Sequence, residues 1–272
     1  MLALNDRKEM ALGFIPVIEE AGRITLEVRE GGMRIDSKAD ASPVSEADLR
    51  SQAHIAEGLA RLCPDIPMLS EEGDHDLGRI GSRYFLVDPL DGTKEFVSGR
   101  DDFAINIALI EDGRPTVGLL YAPARKCLYL SWGPRTAVAR RAGERDFTPL
   151  PIHPVKPRPP VVLTSRSHLD ADTTAFLARL GEHTPHPMGS ALKFGLVADG
   201  EADLYPRFGP TMLWDVAAGQ AIIEAAGGVV VGLDGAALRY DPQRNLRNPS
   251  FIAARTPEAA SQALRALGAS LQ

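Results

Sequence analysis

The chain has 272 residues, of which 44% are hydrophobic and 24% are charged. This composition excludes a disordered or collagen-like chain, and the length is enough to bury a large core in one or two domains. With 30 basic and 36 acidic residues the net charge is −6, which argues against binding to nucleic acid or to anionic membranes.

The cysteine count and the N-terminal sequence favour one cellular compartment for the protein. Two cysteines, Cys63 and Cys127, cannot form a disulfide framework, so a cytoplasmic setting is the simplest prediction. The N-terminus is charged too early for a signal peptide, and no run approaches the ~18 apolar residues of a membrane span. These criteria do not address peripheral attachment to the inner face of the cell membrane. The oligomeric state, monomer or dimer, also stays open.

The first half of the chain predicts helices followed by an antiparallel meander. A helical pattern opens the chain, and Pro16 predicts a kink in it. A clearer helix spans residues 45–62 and ends before Pro64. Apolar runs separated by turn residues then predict strands at 84–87, 103–110, 117–121, 127–131 and 136–139.

Residues 149–160 form the strongest break in composition, with six prolines in twelve residues. Because such a segment can be neither a helix nor a central strand, it predicts a domain boundary. We expect an N-terminal α+β domain over 1–152 and a C-terminal α/β domain over 153–272.

The second half mixes helices and strands. Strands are predicted at 161–163, 202–205, 229–231 and 251–253, and helices at 191–198 and 215–226. Alternation of helices and strands in both halves predicts a layered α/β or α+β protein. His183 and His186 fall in a predicted Pro-rich turn without a partner carboxylate motif, which argues against a zinc site there.

The most informative stretch is VDPLDGTKEF, residues 87–96, where an apolar strand ends directly in a carboxylate. Asp88, Asp91 and the intervening carbonyl of Leu90 are oxygen ligands of the kind that hard divalent cations prefer. Gly92 would let backbone N–H groups approach an anion, and Thr93 adds a hydroxyl. The competing interpretation is an ordinary β-turn, but a turn does not need two acids and a threonine.

Three further acids have ordinary explanations when each is taken alone. Glu71 lies in the string SEEG, which is typical of a solvated loop. Asp215 follows Trp214 at the start of an apolar helix, where aspartate is a common cap. Asp48 ends the string SEAD, which matches a capping box. Their joint appearance with Asp88 and Asp91 favours a functional interpretation.

Together these motifs resemble the magnesium-dependent, lithium-sensitive phosphatases of the inositol monophosphatase superfamily. The motifs are VDPLDGTKEF, SEEG and LWDVAAGQAIIEAAGG, and the resemblance covers residues 38–251. Lys94-Glu95 after the DGT string, the segment 189–215 and KADASPVSEAD at 38–48 are closer to the 3′(2′),5′-bisphosphate nucleotidase branch. Ser45 stands where that last motif commonly has threonine, and the hydroxyl is kept.

The resemblance implies a sugar-phosphatase fold of alternating α and β layers, with the site between the two domains. It also implies roles for individual residues. The implied metal ligands are Glu71, Asp88, the Leu90 carbonyl, Asp91 and Asp215, holding two or three Mg²⁺ ions. Asp48 and Thr93 match a pair that orients the attacking water, with Glu71 beside them in the catalytic set. The implied substrate contacts, besides Glu71, Leu90, Asp91 and Asp215, are Gly92, Thr93, His168, Ser190, Lys193 and Arg207.

The reaction implied by the resemblance is removal of the 3′-phosphate from adenosine 3′,5′-bisphosphate, which gives AMP and phosphate. Four converging carboxylates need cations, and with no Cys or His among them Mg²⁺ is favoured over Zn²⁺. The alternatives are the same chemistry on inositol monophosphate or fructose 1,6-bisphosphate, and a non-catalytic, metal-dependent sensor of a phosphorylated ligand.

Overall fold

The computed structural model describes residues 1–32, 35–37, 43–150, 159–166 and 170–268. His168 and the predicted boundary between residues 152 and 153 lie outside the described residues, and the boundary stays a prediction. The helices are α1 (Leu4–Gly13), α2 (Ile15–Gly31), α3 (Glu46–Leu62), α4 (Thr93–Val97), α5 (Ala171–Leu180), α6 (Leu192–Ala198), α7 (Leu213–Ala225) and α8 (Pro257–Ala266).

Fourteen strands are found in the described part of the chain. The first nine are β1 (Ile35–Ser37), β2 (Pro43–Ser45), β3 (Met68–Ser70), β4 (Arg83–Asp91), β5 (Ala104–Glu111), β6 (Arg114–Ala122), β7 (Cys127–Ser131), β8 (Val138–Arg140) and β9 (Thr148–Pro149). The remaining five are β10 (Val161–Ser165), β11 (Thr184–Met188), β12 (Leu204–Arg207), β13 (Val229–Gly232) and β14 (Phe251–Ala254).

These strands form two large sheets and one small pair. The first sheet has seven strands in the order β3-β4-β5-β6-β7-β8-β9, with β3 parallel to β4 and the rest antiparallel. The second has the order β11-β10-β12-β14-β13, with β10 parallel to both of its neighbours. Strands β1 and β2 pair with each other. The predicted mixed α/β class is therefore confirmed.

Side chains from both faces of the first sheet are buried, which sets the layer order. Phe85 and Val87 point toward helices α1 to α3, while Tyr84 and Leu86 join a second cluster on the opposite face. That second cluster contains most of α6 and α7 and reaches Phe251 and other residues of the second sheet. Helices α5 and α8 cover the outer face of the second sheet. The layers thus alternate α, β, α, β, α.

Two local predictions differ from the structure. Pro16 does not kink one helix, because α1 ends at Gly13 and Pro16 is the second residue of α2. The first turn of a helix does not use the amide hydrogen that proline lacks. His186 lies in strand β11 and not in a turn, with Pro185 and Pro187 beside it. Strand β11 is the edge of its sheet, where a proline removes no ladder hydrogen bond on the outer side.

No helix in the described residues is long and apolar enough to cross a membrane.

Helices α6 and α7, which both begin at the cavity described below, cross at a glycine. A Cβ placed on Gly219 would lie 2.5 Å from the Phe194 Cβ, so the close approach requires glycine. Gly219→Ala should therefore lower the free energy of unfolding by about 1–3 kcal/mol, because overpacking outweighs the better helix propensity of alanine. Urea unfolding followed by circular dichroism measures this.

The matched control is Gly13→Ala at the end of α1, where an added Cβ meets nothing within 4 Å. That variant should be as stable as the parent or slightly more so. Equal stability of the two variants would contradict the packing argument.

Candidate metal and phosphate site

The first two acids of the site come together because β3 and β4 are parallel neighbours. Their register places Ser70 beside Val87, and the Glu71 amide extends the ladder by donating to the Val87 carbonyl at 3.2 Å. Glu71, directly after β3, and Asp88, on the neighbouring strand β4, therefore lie close together. The loop interpretation of Glu71 is thus incomplete, because the strand before it fixes its position.

Asp215 reaches the same place from a helix. It is the third residue of α7, and its Oδ2 accepts a hydrogen bond from the Met212 amide at 2.8 Å. Simple N-capping by Asp215 is therefore wrong, because the N-cap is Met212 and Asp215 accepts from its amide as the acid of a capping box does. Carboxylate oxygens of Asp215, Glu71 and Asp88 also lie within 4.8 Å of one another. One carboxylate thus belongs to the capping box and joins the cluster.

The cluster is electrostatically strained without a cation. Burial, followed by repulsion from Glu71, Asp91 and Asp215, raises the pKa of Asp88 well above its ordinary range. Burial and then Asp91 raise the pKa of Asp215 in the same way. Asp88 Oδ1 accepts from the Leu90 amide at 3.0 Å, whereas its buried Oδ2 has no hydrogen-bond partner among the described residues. An unpaired buried carboxylate oxygen in an all-oxygen cluster fits a hard divalent cation.

An irregularity in β4 lies between Asp88 and the predicted ligand Asp91, which is not among the three acids of the cluster. The pairing of β4 with β5 shifts register between Asp88 and Asp91, and Gly92 then adopts a left-handed conformation with φ of 88° before α4 begins. The Ser51 hydroxyl of α3 holds this irregular segment by donating to the Pro89 carbonyl at 2.8 Å. Sequence reasoning missed Ser51, because a lone serine inside a helix gives no pattern to detect.

Asp91 faces the second half of the chain. Its Oδ2 accepts a hydrogen bond from the Ala191 amide. Burial raises the pKa of Asp91 to about 6, although the nearby Lys193 ammonium and the Ala191 amide oppose this shift. Asp91 thus lies at the junction between the strand-end cluster and the turn before α6.

Thr93 and Asp48 are in contact, as the family resemblance implies. The Thr93 hydroxyl lies 3.3 Å from Asp48 Oδ1 and 3.2 Å from the Leu90 carbonyl. Asp48 is buried on the first turn of α3. The side chain of Ser45, the other half of the predicted capping box, lies outside what the structure describes.

A cavity of about 220 Å³ opens beside the cluster between the two sheets. From the first half of the chain it is lined by the predicted residues Glu71, Asp91, Gly92 and Thr93. From the second half it is lined by Ser190, Lys193, Arg207 and Asp215. Glu95, Ser165, Gly189 and Tyr205 also line it and were not predicted as site residues. The cavity therefore has an acidic near wall and a far wall that carries two cations.

The two cations of the far wall differ in what they contact. The Lys193 ammonium is buried, donates to the carbonyls of Ser190 at 2.6 Å and Met188 at 3.3 Å, and lies 4.9 Å from the Tyr205 ring centre. Burial lowers the pKa of Lys193 to about 8. Arg207 donates to the Pro210 carbonyl through one terminal nitrogen, while its buried Nε has no hydrogen-bond partner among the described residues. Arg207 thus has more unused hydrogen-bond donors than Lys193 among the described residues.

The layered fold and the carboxylate cluster beside a cation-bearing cavity define a class of metal-dependent phosphate-handling protein. The chain belongs to the inositol monophosphatase family, whose model matches residues 6–272. It is 45% identical over 240 residues to the 3′(2′),5′-bisphosphate nucleotidase CysQ of Salmonella typhimurium, an alignment that covers 85% of this chain and 94% of that protein.

Two solved structures share this fold. The CysQ structure from Bacteroides thetaiotaomicron shares 34% identity and a TM-score of 0.76, and the match covers 91% of this chain and 97% of that one. An inositol monophosphatase from Thermotoga maritima matches with a TM-score of 0.74 at 24% identity, over 97% of this chain and 98% of that one, which shows the shared fold alone. The family implies the use of a divalent metal, and the acidic cluster is where one could bind.

The raised pKa values predict a stability effect with a definite sign. A carboxyl group whose pKa is higher in the folded state stabilises the fold below its unfolded pKa, and this stabilisation is lost as the pH rises through the folded value. At neutral pH without metal this stabilisation is diminished, so the Asp88 carboxyl group should make the fold less stable than a neutral amide at the same position would. Asp88→Asn should raise the free energy of unfolding in EDTA by about 1–4 kcal/mol and reduce the stabilisation that added Mg²⁺ gives.

Thermal unfolding at pH 7.5 with EDTA and with Mg²⁺ checks both effects. Asp203→Asn, which breaks an ion pair with Arg255 outside the cluster, is the control and should lose stability under both conditions. If Asp88→Asn behaved like this control, the electrostatic account of the cluster would be wrong.

Proposed function

We propose that this protein hydrolyses the 3′-phosphate of adenosine 3′,5′-bisphosphate to give AMP and phosphate, with Mg²⁺ as cofactor. The observation that carries the proposal is the cavity itself, which has beside one wall a carboxylate cluster that could hold a metal, and on the other Arg207, whose buried Nε has no hydrogen-bond partner among the described residues. Two anion-binding regions in one cavity suit a substrate with two phosphates. The similarity to proteins named as bisphosphate nucleotidases supports the same substrate class.

The proposed metal ligands are Glu71, Asp88, the Leu90 carbonyl, Asp91 and Asp215, which would together hold two or three Mg²⁺ ions. Bound Mg²⁺ would supply Lewis-acid chemistry, lowering the pKa of water and neutralising charge on the phosphate oxygens. Oxygen ligands alone favour Mg²⁺ over Zn²⁺.

Residues of the chain would orient the attacking water and the scissile phosphate. The Thr93 hydroxyl can donate its proton to Asp48, so that its oxygen accepts a hydrogen bond from the attacking water. The left-handed turn at Gly92 would present backbone N–H groups to the scissile phosphate. Water adds to phosphorus, the bond between phosphorus and the ribose 3′-oxygen breaks, and that oxygen leaves with a proton. His168, Ser190, Lys193 and Arg207 are the proposed contacts to the rest of the nucleotide.

A phosphate-release assay on a substrate panel tests the proposal. The panel is adenosine 3′,5′-bisphosphate, adenosine 3′-monophosphate, inositol 1-phosphate and fructose 1,6-bisphosphate, each with Mg²⁺ and with EDTA. We expect the highest kcat/KM for the bisphosphate nucleotide and no turnover after chelation. A preference for inositol 1-phosphate or fructose 1,6-bisphosphate would replace the substrate assignment, and metal-dependent binding without turnover would favour a sensor. Cytoplasmic location and the oligomeric state stay predictions.

Thr93→Ala and Asp48→Asn should each reduce kcat about 10²-fold or more while changing KM little. The reason is that an oriented water contributes mainly in the transition state. Steady-state kinetics with Mg²⁺ titration measure this, and the Mg²⁺ dependence of thermal stability should stay nearly that of the parent. A variant that loses only thermal stability while kcat is unchanged would assign Asp48 to helix capping alone.

Arg207 and Lys193 should respond differently to substitution. Arg207→Gln should cost about 1.5–3 kcal/mol in kcat/KM for adenosine 3′,5′-bisphosphate and far less for adenosine 3′-monophosphate, because only the former has a second phosphate. Lys193→Met should reduce kcat/KM for both substrates, because Lys193 also holds the turn that donates to Asp91. If Arg207→Gln lowered kcat/KM equally for both substrates, Arg207 would not be a contact to the second phosphate.

A further inference from the structure

A buried acid, Asp102, lies outside the carboxylate cluster and next to two glycines that line the same cavity. It precedes β5 by two residues, and its side chain is 6% exposed. One oxygen is 2.5 Å from a terminal nitrogen of Arg125, and the other is 2.5 Å from a terminal nitrogen of Arg166. Burial opposes its ionisation, but the two guanidinium groups hold the pKa of Asp102 below its ordinary value. Asp102 thus joins arginines from both halves of the chain.

The backbone of Asp102 contacts two glycines that line the cavity. Its carbonyl oxygen would lie 3.1 Å from a Cβ on Gly92 and 2.9 Å from a Cβ on Gly189. Gly92 belongs to the proposed phosphate cradle, and Gly189 precedes Ser190 on the far wall. The Asp102 carbonyl therefore packs against both glycines, one from each wall of the cavity.

Arg166 connects this acid to the far wall. Its side chain also donates to the Pro187 carbonyl at 3.0 Å, and its amide donates to the Met188 carbonyl at 3.3 Å. The residue before it, Ser165, lines the cavity. Arg166 thereby ties the end of β10 to the end of β11, directly before the turn that contains Ser190.

We propose that Asp102 is a positioning residue which, through Arg166, sets the preference of the cavity for nucleotides with two phosphates. A substrate held at two charged points is sensitive to the distance between them, and a displacement of about 1 Å can cost about 10²-fold in rate. A small monophosphate ester engages the near wall alone, so it should depend less on this distance. The inference rests on the proposed function, since it concerns the same cavity.

A second ion pair in the chain separates positioning from general stability. Asp199, at the end of α6, is as buried as Asp102, and its Oδ2 is 3.0 Å from Arg141 Nε. This pair also joins the two halves of the chain, but it lies at the opposite end of α6 from Lys193. Asp199→Asn therefore matches Asp102→Asn in charge change, burial and type of partner.

The experiment compares kcat and KM for adenosine 3′,5′-bisphosphate and for p-nitrophenyl phosphate in the parent, Asp102→Asn, Asp102→Glu and Asp199→Asn. We expect Asp102→Asn to raise KM for the bisphosphate about 10-fold or more, and to affect p-nitrophenyl phosphate several-fold less. Asp102→Glu, which keeps the charge, should recover part of the loss. Asp199→Asn should lower the unfolding temperature without changing the ratio of kcat/KM between the substrates.

Equal losses on both substrates in Asp102→Asn, or a selective loss in Asp199→Asn, would overturn the inference. If Asp102→Asn does not fold, Arg166→Gln takes its place, and an unchanged substrate ratio in that variant would likewise overturn it. The parent enzyme is measured first. If it shows no preference for the bisphosphate over adenosine 3′-monophosphate, the proposed function fails before any variant is compared, and the two failures stay distinct.

Discussion

Repulsion among three carboxylates, one directly after β3, one within β4 and one in the first turn of α7, is the constraint on which the rest of the structure depends. Oxygens of Glu71, Asp88 and Asp215 lie within 4.8 Å of one another, and two charges at about 4 Å repel by about 4 kcal/mol at an effective dielectric of 20. The strands cannot move apart, because β3 and β4 are paired in the sheet, and α7 is packed between two sheets. The fold therefore holds the acids together and leaves their charge to be balanced by a cation.

Part of the balancing charge belongs to the protein itself. The Lys193 ammonium is buried near Asp91 and donates to the carbonyl of Ser190, a residue with a φ of 51°. A non-glycine residue in this conformation needs support from its surroundings, which the ammonium supplies. The next amide, that of Ala191, then donates to Asp91. The far wall of the cavity is thus held against the near wall by a chain of hydrogen bonds that begins at one lysine.

The sequence predicted the parts of this arrangement that depend on local pattern. The apolar runs of β4 to β7, the helix at α7 and the string from Asp88 to Thr93 all carry strong periodicity or composition. Strand β3 was missed because three residues show no alternation, and β11 because its prolines are tolerated only at an edge position that the sequence does not reveal. The carbonyl contacts of Lys193 and the pairing of Asp102 with Arg166 depend on long-range packing, which no local pattern encodes.

The two sheets contribute different parts of the site. The first sheet ends in the acids and the turn at Gly92, while the second sheet and α6 contribute Ser165, Lys193 and Arg207. The CysQ structure and the inositol monophosphatase structure share this fold at 34% and 24% identity, so the layers alone cannot determine the substrate. Specificity must therefore reside in side chains of the far wall and in the few contacts that fix its distance from the acids. Asp102 is placed to act on that distance, because it touches both walls and carries no role in the cluster.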